Sequence, residues 1–392
     1  MPYHLKDSLK EVYLKVRKIL LLPFLLLRRT KTPDEGKIKK ILFLRYDRVG
    51  DMVLSTAVFK ALKRRNPSAM LTVLASERNY EIILNNPNVD EILIYKGFGW
   101  FIKEVLARNF DLAMDPFFTY ELKPAFMTYL SGAKYRIGFE ESGREIFFNV
   151  RGPTILPEKN MVEHLLDLSK KVGAEREGCE PEIFLTEEEK KWTDKILAEK
   201  GIRKNDIVIA IHPGAYYPSQ RWPAERFGEI AKRIHESGVR SQKSEVRSKE
   251  LSEESAIKVL LFGDKKEELL LRDVRNIAGE KAIIFCGLRL RQFMALLSHC
   301  NLLICNNSGP LHIASALRIP TISIMGPTFT PLWLPWGKNH IVIRKVLPCS
   351  PCNKAECEDH SCMNLITVEE VMDAVKSQVD KIKPTQIAKG RN

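Results

Sequence analysis

The sequence predicts an α/β protein built on two parallel, doubly wound sheets. Three observations carry that prediction. From residue 41 onward, short apolar runs of strand length alternate with amphipathic helical stretches. The alternation resets near 181–189, where Thr186 and Glu189 have the spacing of a capping box ahead of a new helix. Residues 302–328 then spell a complete strand–helix–strand unit with small polar residues between its first strand and its helix. A chain of 392 residues is long enough for two domains, each with its own core.

Taken in order, residues 1–36 form a segment apart. The first 40 residues hold eleven Lys or Arg against four Asp or Glu. Leu5, Leu9, Val12, Val16 and Leu20 recur at helical spacing, and an apolar run at 19–27 is closed by Arg28, Arg29 and Lys31. Nine apolar residues are too few to span a bilayer, which needs about 20, and no small-residue cleavage site follows. The segment reads as a basic amphipathic helix on an anionic membrane surface, with packing on the protein's own core as the alternative. The first domain, 37–182, is expected to contain strands at 41–45, 71–75, 92–95, 112–114 and 136–139, a helix from Asp51 to about Arg65 and helical pieces between the later strands. The second, 183–366, is expected to contain a helix to about Glu199 and strands at 207–211, 259–262, 282–285, 302–305 and 321–325. Helices are expected there through Phe227, Ile230 and Ile234, over 290–298 and from Pro310 to Leu317. The polar stretch 241–255 reads as a mobile loop, and 367–392 as a closing helix and tail.

Composition excludes several functions. At 44% hydrophobic and 28% charged residues, this is a globular composition. The formal net charge of +13 favours an acidic partner, but the basic excess is concentrated at the N-terminus and no nucleic-acid module is evident. No P-loop, GxGxxG fingerprint, GxSxG elbow, HExxH helix or Asp-x-Asp pair occurs. A phosphate group would therefore be met by helix N-termini and basic side chains. Cys179, Cys286, Cys300 and Cys305 are scattered and read as reduced thiols. Cys349, Cys352, Cys357 and Cys362 fall within fourteen residues. That cluster admits a structural zinc, with His360 as a substitute ligand and a set of free surface-loop thiols as the alternative.

Four motifs point further. They are Arg45-Tyr46-Asp47-Arg48-Val49-Gly50-Asp51, His212-Pro213-Gly214-Ala215 followed by Arg221-Trp222-Pro223 and Phe227, Asn307-Ser308-Gly309-Pro310-Leu311-His312, and Gly326-Pro327-Thr328. In order and approximate spacing this set resembles the heptosyltransferase family, glycosyltransferase family 9, over roughly residues 38–380. The resemblance implies two facing Rossmann-like domains of GT-B type, acceptor bound by the N-terminal one and nucleotide sugar by the C-terminal one. It also implies an inverting, metal-independent transfer that requires no cofactor.

It further implies that Asp51 is the base, whereas the sequence alone leaves a helix-capping role open. His212, Gly214, Ala215, Gln220, Arg221, Asn307, Ser308, Gly309 and His312 match the positions that line the donor. The family usually has Asp where Asn307 stands and often Lys where Gln220 stands; Arg221 is suited to meet phosphate in its place. The implied donor is ADP-heptose, and the acceptor a lipopolysaccharide-core or related lipid-linked glycan. The implied location is the cytoplasmic face of the inner membrane. A UDP- or GDP-sugar donor, or a catalytically silent sugar-nucleotide or lipid-binding protein, are the alternatives.

Overall fold

The computed structural model describes residues 12–17, 19–21, 23, 28–237, 256–328 and 331–382. The expected loop at 241–255, the end of the 19–27 run and the tail after 382 lie outside the described residues. The chain divides into two compact units, Met1–Glu182 and Ile183–Asn392. Each contains a buried hydrophobic cluster of its own.

Unit 1 runs β1 (Lys40–Leu44), α1 (Val49–Arg65), β2 (Met70–Ala75), β3 (Glu91–Ile94), α2 (Phe98–Leu106), β4 (Leu112–Asp115), α3 (Lys123–Leu130), β5 (Tyr135–Gly138) and α4 (Met161–Lys170). Its sheet has the order β3-β2-β1-β4-β5, and every recorded pairing is parallel. Strand β1 is central, which is why its apolar residues run without alternation: Ile41, Leu42, Phe43 and Leu44 are all buried. The sequence marks a single apolar side on α1. The structure instead buries every residue from 52 to 59, because the helix also packs beneath α4. Helix α1 starts at Val49, two residues before the expected Asp51.

Before β1, residues 12–17 and 19–21 are helical. No helix among the described residues is long and apolar enough to cross a membrane.

Unit 2 runs α5 (Glu187–Glu199), β6 (Ile207–His212), α6 (Ala224–Ser237), β7 (Ile257–Gly263), α7 (Glu268–Ala278), β8 (Ile283–Cys286), α8 (Leu290–Ser298), β9 (Leu302–Asn306), α9 (Gly309–Ala316), β10 (Thr321–Ile324), β11 (His340–Ile343) and α10 (Val368–Val379). Its six strands lie in the order β11-β10-β9-β6-β7-β8, again with parallel pairings. The Thr186 capping box opens α5, its hydroxyl accepting from Glu189 N and the Glu189 carboxylate accepting from Thr186 N. Elements beyond the sequence expectation include α4, α7, β11 and a one-turn helix at Ser361–Asn364. Strand β11 is four half-buried residues at a sheet edge, too short for its period to declare itself.

Candidate active site

The strand order of unit 1 reverses direction at β1, so β1 and β4 flank the topological switch point. The crevice outside their carboxyl ends is where open α/β sheets bind ligands. Asp51 stands there, in the first turn of α1. The helix is capped by Arg48 through backbone alone, with no side-chain cap bond, so the capping role left open for Asp51 is not the one it plays.

Its surroundings are fixed by Arg45, a guanidinium only 2% exposed. Arg45 Nε donates to Ser55 Oγ at 3.0 Å and Nη2 to the Pro116 carbonyl at 2.8 Å. Nη1 sits 3.1 Å from Asp47 Oδ2 and 4.0 Å from Asp51 Oδ1. Ser55 Oγ in turn donates to the Asp51 carbonyl at 2.8 Å. Burial, and then the Asp47 charge, push the Asp51 carboxyl up to about 6; Arg45 and Arg48 pull it down and do not prevail. The result is a carboxylate that is mostly ionised at neutral pH and more basic than a surface one. Asp47 takes the nearer place on Arg45 and acts on Asp51 through its charge.

The wall beyond Arg45 is held by a buried ion pair. Asp115, the last residue of β4, meets Arg144 at 2.5 Å, with both side chains at most 1% exposed. Arg144 also donates to the carbonyls of Phe117 and Thr119. The loop that receives Arg45 is thereby clamped from its other side. Tyr46 completes this wall, its ring 4.9 Å from Tyr95 and 5.0 Å from Phe117.

In unit 2 the corresponding switch lies between β6 and β9, with His212 paired opposite Cys305. The loops 213–215 and 307–308 therefore leave the sheet side by side. Asn306, fully buried, ties them together: its Nδ2 donates to the Pro213 carbonyl at 2.7 Å, and its Oδ1 accepts from Trp222 N at 3.1 Å. Ser308 is the N-cap of α9 but makes no side-chain cap bond, so the helix start presents its first-turn N–H groups without a competing hydroxyl acceptor. Gly309 opens the helix, Pro310 follows in the first turn, and Asn307 is buried beside them. His312, one turn in, is 6% exposed; burial, and then His340, push its imidazole down to about 4. It is a neutral hydrogen-bonding group, not a cation.

The other expected donor residues divide. Ala215 and Arg221 are joined, Arg221 Nε donating to the Ala215 carbonyl at 3.0 Å. Gln220 donates through Nε2 to Thr328 Oγ1 at 2.7 Å, linking the 218–220 turn to the Gly326-Pro327-Thr328 turn. His212 is held below its usual range, first by burial, with Glu267 opposing. Its Nε2 lies 3.7 Å from Glu267 Oε2. A side chain at Gly214 would meet that same carboxylate at 1.8 Å, so the glycine is what lets Glu267 approach.

Glu267 was not among the expected site residues, although a signal existed. Asp264 and Glu267 form a capping box directly after β7, and such a box places its acid beside a strand's carboxyl end. Asp264 itself is occupied, accepting from Lys266 N and Glu267 N.

Of the cysteine cluster before α10, Cys349, Cys352 and Cys357 lie in a loop and Cys362 in the one-turn helix Ser361–Asn364. Cys349 and Cys357 are exposed, Cys352 is half-buried and Cys362 is buried. Cys362 packs beneath Gly326, where a Cβ would stand 2.9 Å from its sulfur. Among the described residues no three His, Cys, Asp or Glu are grouped to hold a metal ion.

Residues 99–362 match the description "Glycosyltransferase family 9 (heptosyltransferase)". The chain belongs to glycosyltransferase family 9. It is 24% identical over 380 residues to lipopolysaccharide heptosyltransferase 2 of Escherichia coli K12, covering 86% of this chain and 98% of that protein. It is 24% identical over 333 residues to lipooligosaccharide heptosyltransferase 2 of Haemophilus ducreyi, covering 78% and 89%. Among solved structures, a family 9 glycosyltransferase from Veillonella parvula superposes with a TM-score of 0.74 at 20% identity, covering 90% of this chain and all of that one. An E. coli ADP-heptose heptosyltransferase II superposes with a TM-score of 0.69 at 22% identity, covering 87% and 99%. These likenesses establish the fold, and the family makes the chain a glycosyltransferase.

Proposed function

We propose that this family 9 enzyme transfers a heptose from ADP-heptose to a sugar hydroxyl of a lipopolysaccharide-core or related lipid-linked acceptor, with inversion and without a metal ion. The observation that carries the reading is the Asp51 carboxyl, half-buried at the switch point of unit 1 and raised to about 6. In the transfer, Asp51 accepts the proton of the acceptor hydroxyl as that oxygen attacks the anomeric carbon. The bond from that carbon to the diphosphate breaks on the opposite face, ADP leaves with the electron pair, and the configuration inverts.

On the donor side, the α9 N–H groups with Ser308, Gly309 and His312 would receive the diphosphate oxygens. Arg221 would supply the positive charge, because Gln220 is neutral and bonded to Thr328. Glu267, a carboxylate at the end of a parallel strand, suits the ribose hydroxyls. The basic segment 1–36 would form an amphipathic helix on the anionic inner leaflet, keeping a cytoplasmic enzyme peripheral to the membrane that carries its acceptor.

The deciding experiment is a calorimetric titration with ADP-, UDP- and GDP-sugars, followed by turnover with ADP-heptose in EDTA. Tight binding of ADP-heptose alone and undiminished turnover in chelator support the reading. Preference for a UDP- or GDP-sugar overturns the donor, and loss of turnover in chelator overturns metal independence.

A further inference from the structure

Large apolar side chains of unit 1 stand exposed both in its N-terminal helical residues and on its short helices. We propose that unit 1 docks on an anionic bilayer through two joined patches, the helical residues 12–17 and 19–21 and an aromatic group formed by Phe98, Phe126, Tyr129 and Phe147. This rests on the membrane-surface reading above and extends it to a second, folded contact. In the helical segment Val12, Tyr13, Val16, Ile19 and Leu20 are 49–69% exposed. The segment is nonetheless seated: Arg17 donates to the Ser142 carbonyl, and a Cβ at Gly143 would stand 2.8 Å from Leu21 Cδ1. Gly143 has a φ of +76°, so the left-handed turn and the close approach both call for glycine there.

That turn leads straight into the 3-10 turn Arg144–Phe147. The Phe147 ring lies 5.6 Å from Phe126 and 6.1 Å from Tyr129, and Phe126 stacks on Phe98 at 6.2 Å. Phe98, Phe126 and Tyr129 are 39%, 39% and 49% exposed. Adjacent exposed aromatic rings on two short helices mark an interaction surface. Charge chooses the occupant. Residues 12–31 carry six Lys or Arg and no acid, and α3 carries Lys123 and no acid. Lys123 lies over the Tyr95 ring and Arg136 over the Tyr129 ring. Of the nearby acids, Glu104 lies 3.9 Å from Arg108 and Glu140 2.9 Å from Arg28, Glu141 and Glu145 are half-buried and Glu121 is exposed. Aromatic rings among cations match the interface of a bilayer with anionic headgroups.

The test is co-sedimentation of the full chain with vesicles of phosphatidylcholine alone, or of phosphatidylcholine with phosphatidylglycerol. The variants are Ile19→Ser with Leu20→Ser, Phe126→Ser with Tyr129→Ser, and Tyr129→Ser alone in case the aromatic pair impairs folding. Binding should require phosphatidylglycerol and weaken with salt. Each double variant should lower the partition coefficient roughly tenfold, and Tyr129→Ser alone several-fold. Unchanged binding in the folded aromatic variants overturns the second patch, as does a concentration-dependent dimer that those variants abolish. Transfer to a delipidated, soluble acceptor reports separately on the transferase reading. Its absence in the wild type sinks that reading whatever the vesicles show.

Discussion

Asp51 is subject to opposed demands. A carboxyl raised from 3.8 to about 6 in the folded state binds its proton more tightly there than in the unfolded chain. Its contribution to stability is complete below pH 4 and is lost as pH rises through 6. At pH 7 the ionised, desolvated group therefore costs on the order of 2–3 kcal/mol. Asp51→Asn should raise the unfolding temperature at pH 7 by several degrees, a gain that calorimetry should show disappearing toward pH 4. The same replacement should lower kcat by about 10²–10⁴ while ADP affinity is kept. For the wild type, kcat/KM should fall tenfold per unit below a limb near pH 6. Asp47→Asn removes a charge that helps to raise Asp51 and should move that limb to lower pH; a limb that stays put excludes Asp51 as its origin. The sequence alone did not separate base from cap, because both roles favour Asp at a helix start. The helix beginning at Val49 puts Asp51 inside the first turn instead of at the cap, and the base role is the one proposed above. Asn306 and Glu267 were obscure for a different reason: their partners lie 93 positions away for Asn306 Nδ2 and, for Glu267, on the neighbouring strand.

At the level of elements, the strands at the centres of the two sheets were the most legible. Buried parallel strands such as β1 must be continuously apolar, so their composition alone announces them. The unread elements lacked such a signature: β11 is half-buried throughout, and α4 follows a stretch with no strand to frame it. What positions the loops around Asp51 is invisible to pattern altogether. The Asp115–Arg144 pair joins β4 to a turn 29 positions later in the chain. Breaking one side of a buried pair leaves an uncompensated charge, whereas removing both leaves only packing to repair. Arg144→Met should destabilise unit 1 by about 3–5 kcal/mol, and Asp115→Leu with Arg144→Met should recover most of that loss. Urea unfolding of the three proteins measures the difference. Equal destabilisation by the single and double variants would mean that the pair's charges are not what the fold depends on.

At the scale of the whole molecule, each compact unit contains a buried apolar cluster of its own. One buried cluster gathers Ile209, Trp222, Phe227, Ile304 and Val371, all in unit 2. Another gathers Leu42, Leu74, Phe101 and Met127, all in unit 1. The proposed donor residues, from His212 to His312, belong to unit 2, while Asp51 belongs to unit 1. A ligand stabilises only the cooperative unit it binds, by RT ln(1 + [L]/Kd), which is about 2.7 kcal/mol at a hundredfold excess over Kd. Calorimetry of the full chain should therefore resolve two transitions, of which ADP raises one and leaves the other in place. Gly214→Ala drives a methyl into the Glu267 carboxylate and should reduce the ADP-dependent shift without moving the second transition. Asp51→Asn should do the reverse, raising the unit 1 transition and sparing the ADP response. A single transition that ADP moves as a whole would show that the two cores unfold together, and a shift confined to the Asp51 unit would move the nucleotide site out of unit 2.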